Sequence, residues 1–96
     1  MVLLREVIGS QLRNTRKEQG ATLRDISSKA NVALGYLSEI ERGRKEPSSE
    51  LLSSICSALE ISVSILMRAV TIETVRIENQ VRPIQSSRTK NNIKAA

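Results

Sequence analysis

A chain of 96 residues with 15 basic, 10 acidic and no histidine side chains, net charge +5, describes one small domain with a simple core and a polyanionic partner. Its one aromatic residue, Tyr36, leaves nothing to stack several splayed bases, so duplex DNA is favoured over single strands and looped RNA. One cysteine and no histidine leave little for disulfides, catalysis or metal binding, and there is neither a secretory leader nor a run of about 18 apolar residues; the expectation is a cytoplasmic, non-enzymatic protein with no cofactor, no metal and no membrane.

In chain order, Arg5 to Gln19 carries Ile8 and Leu12, flanked by Val7 and Thr15, at helical spacing, and Gly20 supplies the left-handed residue that ends a first helix. Thr22 with Asp25 three residues later resembles a capping box, starting a second helix with Leu23, Ile26 and Ala30 on one face. Asn31 tolerates positive φ and closes it. Val32 bridges a sharp turn into a third helix, where Leu37 and Ile40 form the buried stripe and Gly43 is the stop. Pro47 and Ser48 open a fourth helix, with Leu51, Leu52, Ile55, Ala58 and Leu59 on its apolar face and Cys56 as a small core residue. Ser62 caps a fifth, containing Ile65, Leu66 and Ala69. Beyond Val70, TIETVRIENQV is β-branched enough to leave helix and strand nearly tied, and a sixth helix is the preferred reading. After Pro83 the polar, basic composition predicts a flexible tail over 83–96. The fold class is all-α.

The third helix carries Leu34, Gly35, Ser38 and Glu39 on its open side, and a basic loop follows it. The stretch TLRDISSKANVALGYLSEIERGRKEPS resembles the helix-turn-helix of the phage-repressor-like XRE regulators, with similarity from about residue 5 to 69. The resemblance implies a five-helix lambda-repressor-like domain over 1–69 whose third helix lies in the major groove of double-stranded DNA. By position, base readout falls on Leu34, Gly35 and Glu39, with Ala33 and Ser38 beside them. Chemically, an ionised Glu39 suits the N4 amino group of cytosine, Leu34 suits a thymine methyl, and Gly35 lets the backbone come close. The bland alternative for Glu39 is a solvated surface charge. Phosphate contacts are expected from Thr22, Arg24, Tyr36, Arg42, Arg44 and Lys45, against ordinary solvation of a basic loop. The family commonly pairs an arginine of the first helix with the glutamate of the ERG-type motif, which implies a structural ion pair between Arg16 and Glu41. Two departures stand out. Leu23 occupies the place of a frequent phosphate-binding Gln, and the small mid-helix position is Ser27, whose hydroxyl is expected to bond a carbonyl four residues earlier.

A readout of three or four residues specifies little DNA, so a homodimer on an inverted repeat is expected, held by the segment 70–82 through Ile72, Val75 and Ile77; packing within one subunit is the alternative. With some 25 residues left after the DNA-binding unit, no ligand-sensing domain is expected. LGYLSEIERGRKEPSSELLSSICSALEIS is further similar to the ClgR regulators of actinobacteria, which implies an activator of genes for Clp protease and other proteolysis functions. RNA polymerase, through the acidic side that includes Asp25, and Clp protease, through a tail ending in Ala95 and Ala96, are then candidate partners. An autorepressor or antitoxin of the same fold, or a protein-interaction module, remains open. So do the operator, the sign of regulation and whether the tail is a degradation signal.

Overall fold

The computed structural model describes residues 2–81, and among these it contains five helices and no strand: α1 (Leu4–Glu18), α2 (Leu23–Ala30), α3 (Leu34–Glu41), α4 (Ser49–Ala58) and α5 (Val63–Val81). Local chemistry sets most boundaries. At α2 the Thr22 hydroxyl accepts from the Asp25 N–H at 3.0 Å while the Asp25 carboxylate accepts from the Thr22 N–H at 2.9 Å, a complete capping box. The hydroxyls of Ser48 and Ser62 accept from the N–H groups of Leu51 and Ile65 at 3.2 and 3.1 Å, starting α4 and α5.

Four helices end alike. Gly20, Asn31, Gly43 and Glu60 all adopt positive φ, between 56° and 76°, and the following N–H reaches back five residues to a helix carbonyl, as Val32 does to Ser27 at 3.0 Å. Glu60 is the surprise, since a side chain pays for this conformation and its sequence gives no stop signal. In α2 the Ser27 hydroxyl does not bond backwards as expected. It donates forward to the carbonyl of Val32 at 2.5 Å, because the reversed chain brings that carbonyl over the last turn of the helix. The bond ties the end of α2 to the turn, and Val32 is buried beneath it.

Helices of eight residues are too short to stand alone in water, so α2 and α3 depend on burial. Leu37 and Ile40 are completely buried, each contributing about 1.5–3 kcal/mol, within a core that also contains Val7, Leu12, Ile26, Ile55, Leu59, Leu66 and Val70. Cys56 lies in this core, where burial pushes its thiol pKa up and leaves it unreactive. In α1 the buried positions are Val7, Gly9 and Leu12, with Ile8 only half-buried. At the far end of α1, the Gln19 side-chain amide donates to the Leu59 carbonyl at 2.6 Å, joining α1 to the end of α4.

Gly9 has no conformational reason to be glycine, since it lies within α1. Its reason is proximity: a β-carbon there would overlap the carbonyl oxygen of Ile40 and come 2.9 Å from that of Glu41. Gly9→Ala should therefore destabilise the fold by about 1–3 kcal/mol in urea titration, although alanine is the better helix former. Gly35, also helical, has nothing within 4 Å of such a carbon. Gly35→Ala should instead stabilise by up to about 1 kcal/mol, and equal signs for the two substitutions would refute this account of Gly9.

Residues 70–81 are helical, but they continue α5 without a break instead of forming a separate sixth helix. No Gly or Pro lies between Ala69 and Val81, and α5 packs along α1, where burial of Val70 and half-burial of Ile77 decide a segment that propensity left balanced. Among the described residues no single helix is long and apolar enough to cross a membrane. Pro83, Ala95, Ala96 and the expected tail lie outside the described residues.

Candidate nucleic-acid interface

The two faces of α3 divide cleanly. Leu37, Ile40 and Glu41 are buried; Ala33, Leu34 and Gly35 are exposed, and Ser38 and Glu39 are half-buried on the outer side. The exposed first turn is costly in isolation. Ala33 at the N-cap has no side-chain oxygen to receive the first N–H groups, and Gly35 weakens the helix while meeting nothing within this chain. Both choices make sense where a second surface must approach the backbone closely.

The end of α3 is fixed from below. Arg16 Nε donates to Glu41 Oε2 at 2.8 Å, Nη2 donates to Oε1 at 2.9 Å, and Nη1 donates to the carbonyl of Ala21 at 2.9 Å. The bidentate pair joins α1 to α3, while the third bond holds the turn that leads into α2. With side chains only 12% and 6% exposed, these charges have little water to fall back on. The hydrogen-bonded Glu41 carboxylate raises the Arg16 pKa above its ordinary value. The ERG-type motif suggests the pair, but nothing in the sequence points to the Ala21 contact.

The basic loop after α3 is folded back on the helix. Glu39 Oε2 lies 3.6 Å from Arg42 Nη1 and 3.7 Å from Arg44 Nη1. The Lys45 ammonium sits 5.8 Å from the centre of the Tyr36 ring, and the Tyr36 hydroxyl donates to the Glu46 carbonyl at 3.4 Å. Arg5, absent from the sequence-based candidates, reaches Glu46 at 3.8 Å and tethers the same loop to α1. Arg24 and Thr22 are exposed at the start of α2. The Thr22 oxygen is engaged in the capping box, which leaves its proton to donate outward. Asp25 is committed to that box: the Thr22 N–H holds its carboxyl below the usual carboxylate range.

On α5 the three residues expected at a dimer contact are separated by the fold. Ile72 is 63% and Val75 39% exposed, whereas Ile77 is half-buried against the subunit's own core. Ile65, 53% exposed and seven residues before Ile72, extends the same outer face.

The pattern of the helix-turn-helix family matches residues 12–66. The transcriptional regulator ClgR of Mycobacterium tuberculosis H37Rv is 52% identical over 86 residues, covering 90% of this chain and 77% of that protein. The crystal structure of the clp gene regulator ClgR from Corynebacterium glutamicum superimposes with a TM-score of 0.75 at 43% identity, covering 90% of this chain and 95% of that one. The restriction-modification controller protein C.Esp1396I, solved as a tetramer in complex with its natural 35 base-pair operator, is 26% identical with a TM-score of 0.70, over 76% of this chain and 96% of that one.

Proposed function

We propose, because this chain belongs to the XRE-type helix-turn-helix family of DNA-binding transcriptional regulators, that it binds an inverted repeat as a homodimer and activates genes for Clp protease and other proteolysis functions. The observation that carries the groove reading is the open first turn of α3. Its Gly35 meets nothing else in the chain and its Leu34 is 36% exposed, on a helix that is followed by Arg42, Arg44 and Lys45 and whose other face is locked by Leu37, Ile40 and the Arg16–Glu41 pair. Such a helix can enter the major groove without moving, with Leu34, Gly35, Ser38 and Glu39 at base edges, Ala33 at the leading end, and Thr22, Arg24, Tyr36 and the basic loop at phosphates.

Two-fold symmetry doubles this readout, placing recognition helices about 34 Å apart on successive turns of one DNA face. The outer face of α5, with Ile65, Ile72 and Val75, is the surface for the second copy, and Ile77 contributes by holding α5 against α1. Wild-type protein should sediment as a dimer at micromolar concentration. Ile72→Asp should weaken association by roughly two to four orders of magnitude, since two apolar contacts of roughly 1.5–3 kcal/mol each are lost across the axis. A wild type that sediments as monomer would remove the dimer from this reading.

Activation of proteolysis genes follows the kinship with ClgR, whose solved relative is described as a clp gene regulator. RNA polymerase is the partner an activator requires, and Clp protease is a second partner if the chain is its own target's substrate. Genome-wide mapping of bound sites tests the assignment. Inverted, G·C-containing repeats upstream of protease genes are expected, and bound sites lacking that association would leave a DNA-binding regulator with different targets.

A further inference from the structure

The arginines that follow α3 are restrained by a residue on its groove-facing side. Gly35, Glu39 and Arg42 are spaced four and three residues apart and share the face opposite Leu37 and Ile40. The Glu39 carboxylate serves two guanidiniums at once, at 3.6 and 3.7 Å, beyond hydrogen-bond length, and both arginine side chains are more than half exposed. Contacts this long and this wet add little to stability and break readily. Their consequence is electrostatic: one negative charge is set among the cations best placed to meet DNA.

In the major groove that negative charge meets mostly acceptors, namely N7 and O6 of guanine, N7 of adenine and O4 of thymine. When Arg42 and Arg44 turn to phosphates, Glu39 is left unpaired in a confined, negatively charged space. Only a base-edge donor can replace them, and the cytosine N4 amino group supplies one without the neighbouring acceptor that adenine carries.

We propose that Glu39 determines specificity by exchange, trading Arg42 and Arg44 for the N4 amino group of a cytosine, so that both arginines engage the backbone at full strength only where cytosine occupies that position. The inference rests on the placement of α3 in the groove. Glu39 then has two effects, selecting cytosine and lowering affinity for every other duplex.

The test uses the full chain, as wild type, Glu39→Ala and Glu39→Gln, with selection from a randomised duplex pool and titration of a duplex containing only A·T pairs. Wild type should enrich a half-site with cytosine at one fixed position. Glu39→Ala should reduce that preference by about fivefold to a hundredfold and bind the A·T duplex more tightly than wild type at low salt. Glu39→Gln should move the preference toward adenine, whose N6 and N7 match an amide. Unchanged cytosine preference in Glu39→Ala, or A·T affinity no higher than wild type, would overturn the exchange while leaving the groove reading intact. Failure of the wild type itself to enrich any sequence would remove the groove reading and this inference with it. Thermal melts of each variant confirm that folded protein is compared, and Glu39 makes no contact on which the core depends.

Discussion

Glu41→Gln should cost the fold about 3–5 kcal/mol in chemical denaturation, a large share of the roughly 5–15 kcal/mol that holds a domain together. The neutral amide fits the space but cannot balance the Arg16 guanidinium, which remains buried and charged because an arginine does not give up its proton. The disturbance then spreads through the other bonds of Arg16. Its Nη1 donates to the Ala21 carbonyl, so a displaced guanidinium loosens both α3 and the turn into α2. Replacing both members, Arg16→Met with Glu41→Leu, should recover most of the loss, since no charge is then stranded. A single substitution costing less than about 1 kcal/mol would place the pair among ordinary surface contacts. On the proposed groove reading, the same Glu41→Gln protein should bind DNA weakly even where it stays folded, because Glu41 fixes the end of the helix assigned to readout.

The second large effect is in binding. Arg24, Arg42, Arg44 and Lys45 give four cations per protomer near the expected groove, of which about three are expected to reach phosphates on an operator. About six net phosphate neutralisations across a dimer predict that affinity for an operator falls by roughly three orders of magnitude between 50 and 200 mM salt. Titration by fluorescence anisotropy over that range measures the slope directly. Arg44→Ala should flatten it by about two units, one for each protomer, with the larger loss on cytosine-containing sites, where Glu39 releases the arginine. A salt-independent affinity would contradict the phosphate assignment of the basic loop.

Much of this architecture is written in short-range signals. The capping box of Thr22 and Asp25, the stops at Gly20, Asn31 and Gly43, and the serine caps at 48 and 62 each act through hydrogen bonds spanning only a few residues, so their neighbours suffice to reveal them. The apolar pair Leu37 and Ile40 similarly fixes which side of α3 turns inward and therefore which side is left open. Charge and the shortage of aromatics point to duplex DNA without any reference to shape.

Other features depend on what lies across the fold. Gly9 is glycine because the carbonyls of Ile40 and Glu41, about thirty residues away, occupy the space of a side chain. The segment from 70 to 81 is helical, and Ile77 turns inward, because α1 provides a wall for α5. Ser27 bonds forward to Val32 because the turn returns that carbonyl to it. The turn at Gly43 brings the arginines of the basic loop near Glu39 and Lys45 near Tyr36, neighbours that the residue spacing does not announce. The sequence by itself determined where the helices start and stop and which face of each is apolar, since those follow from bonds within a turn or two. Only the tertiary structure decided which of the remaining side chains are buried, paired or left exposed, because burial and charge pairing depend on distances in space that residue spacing does not encode.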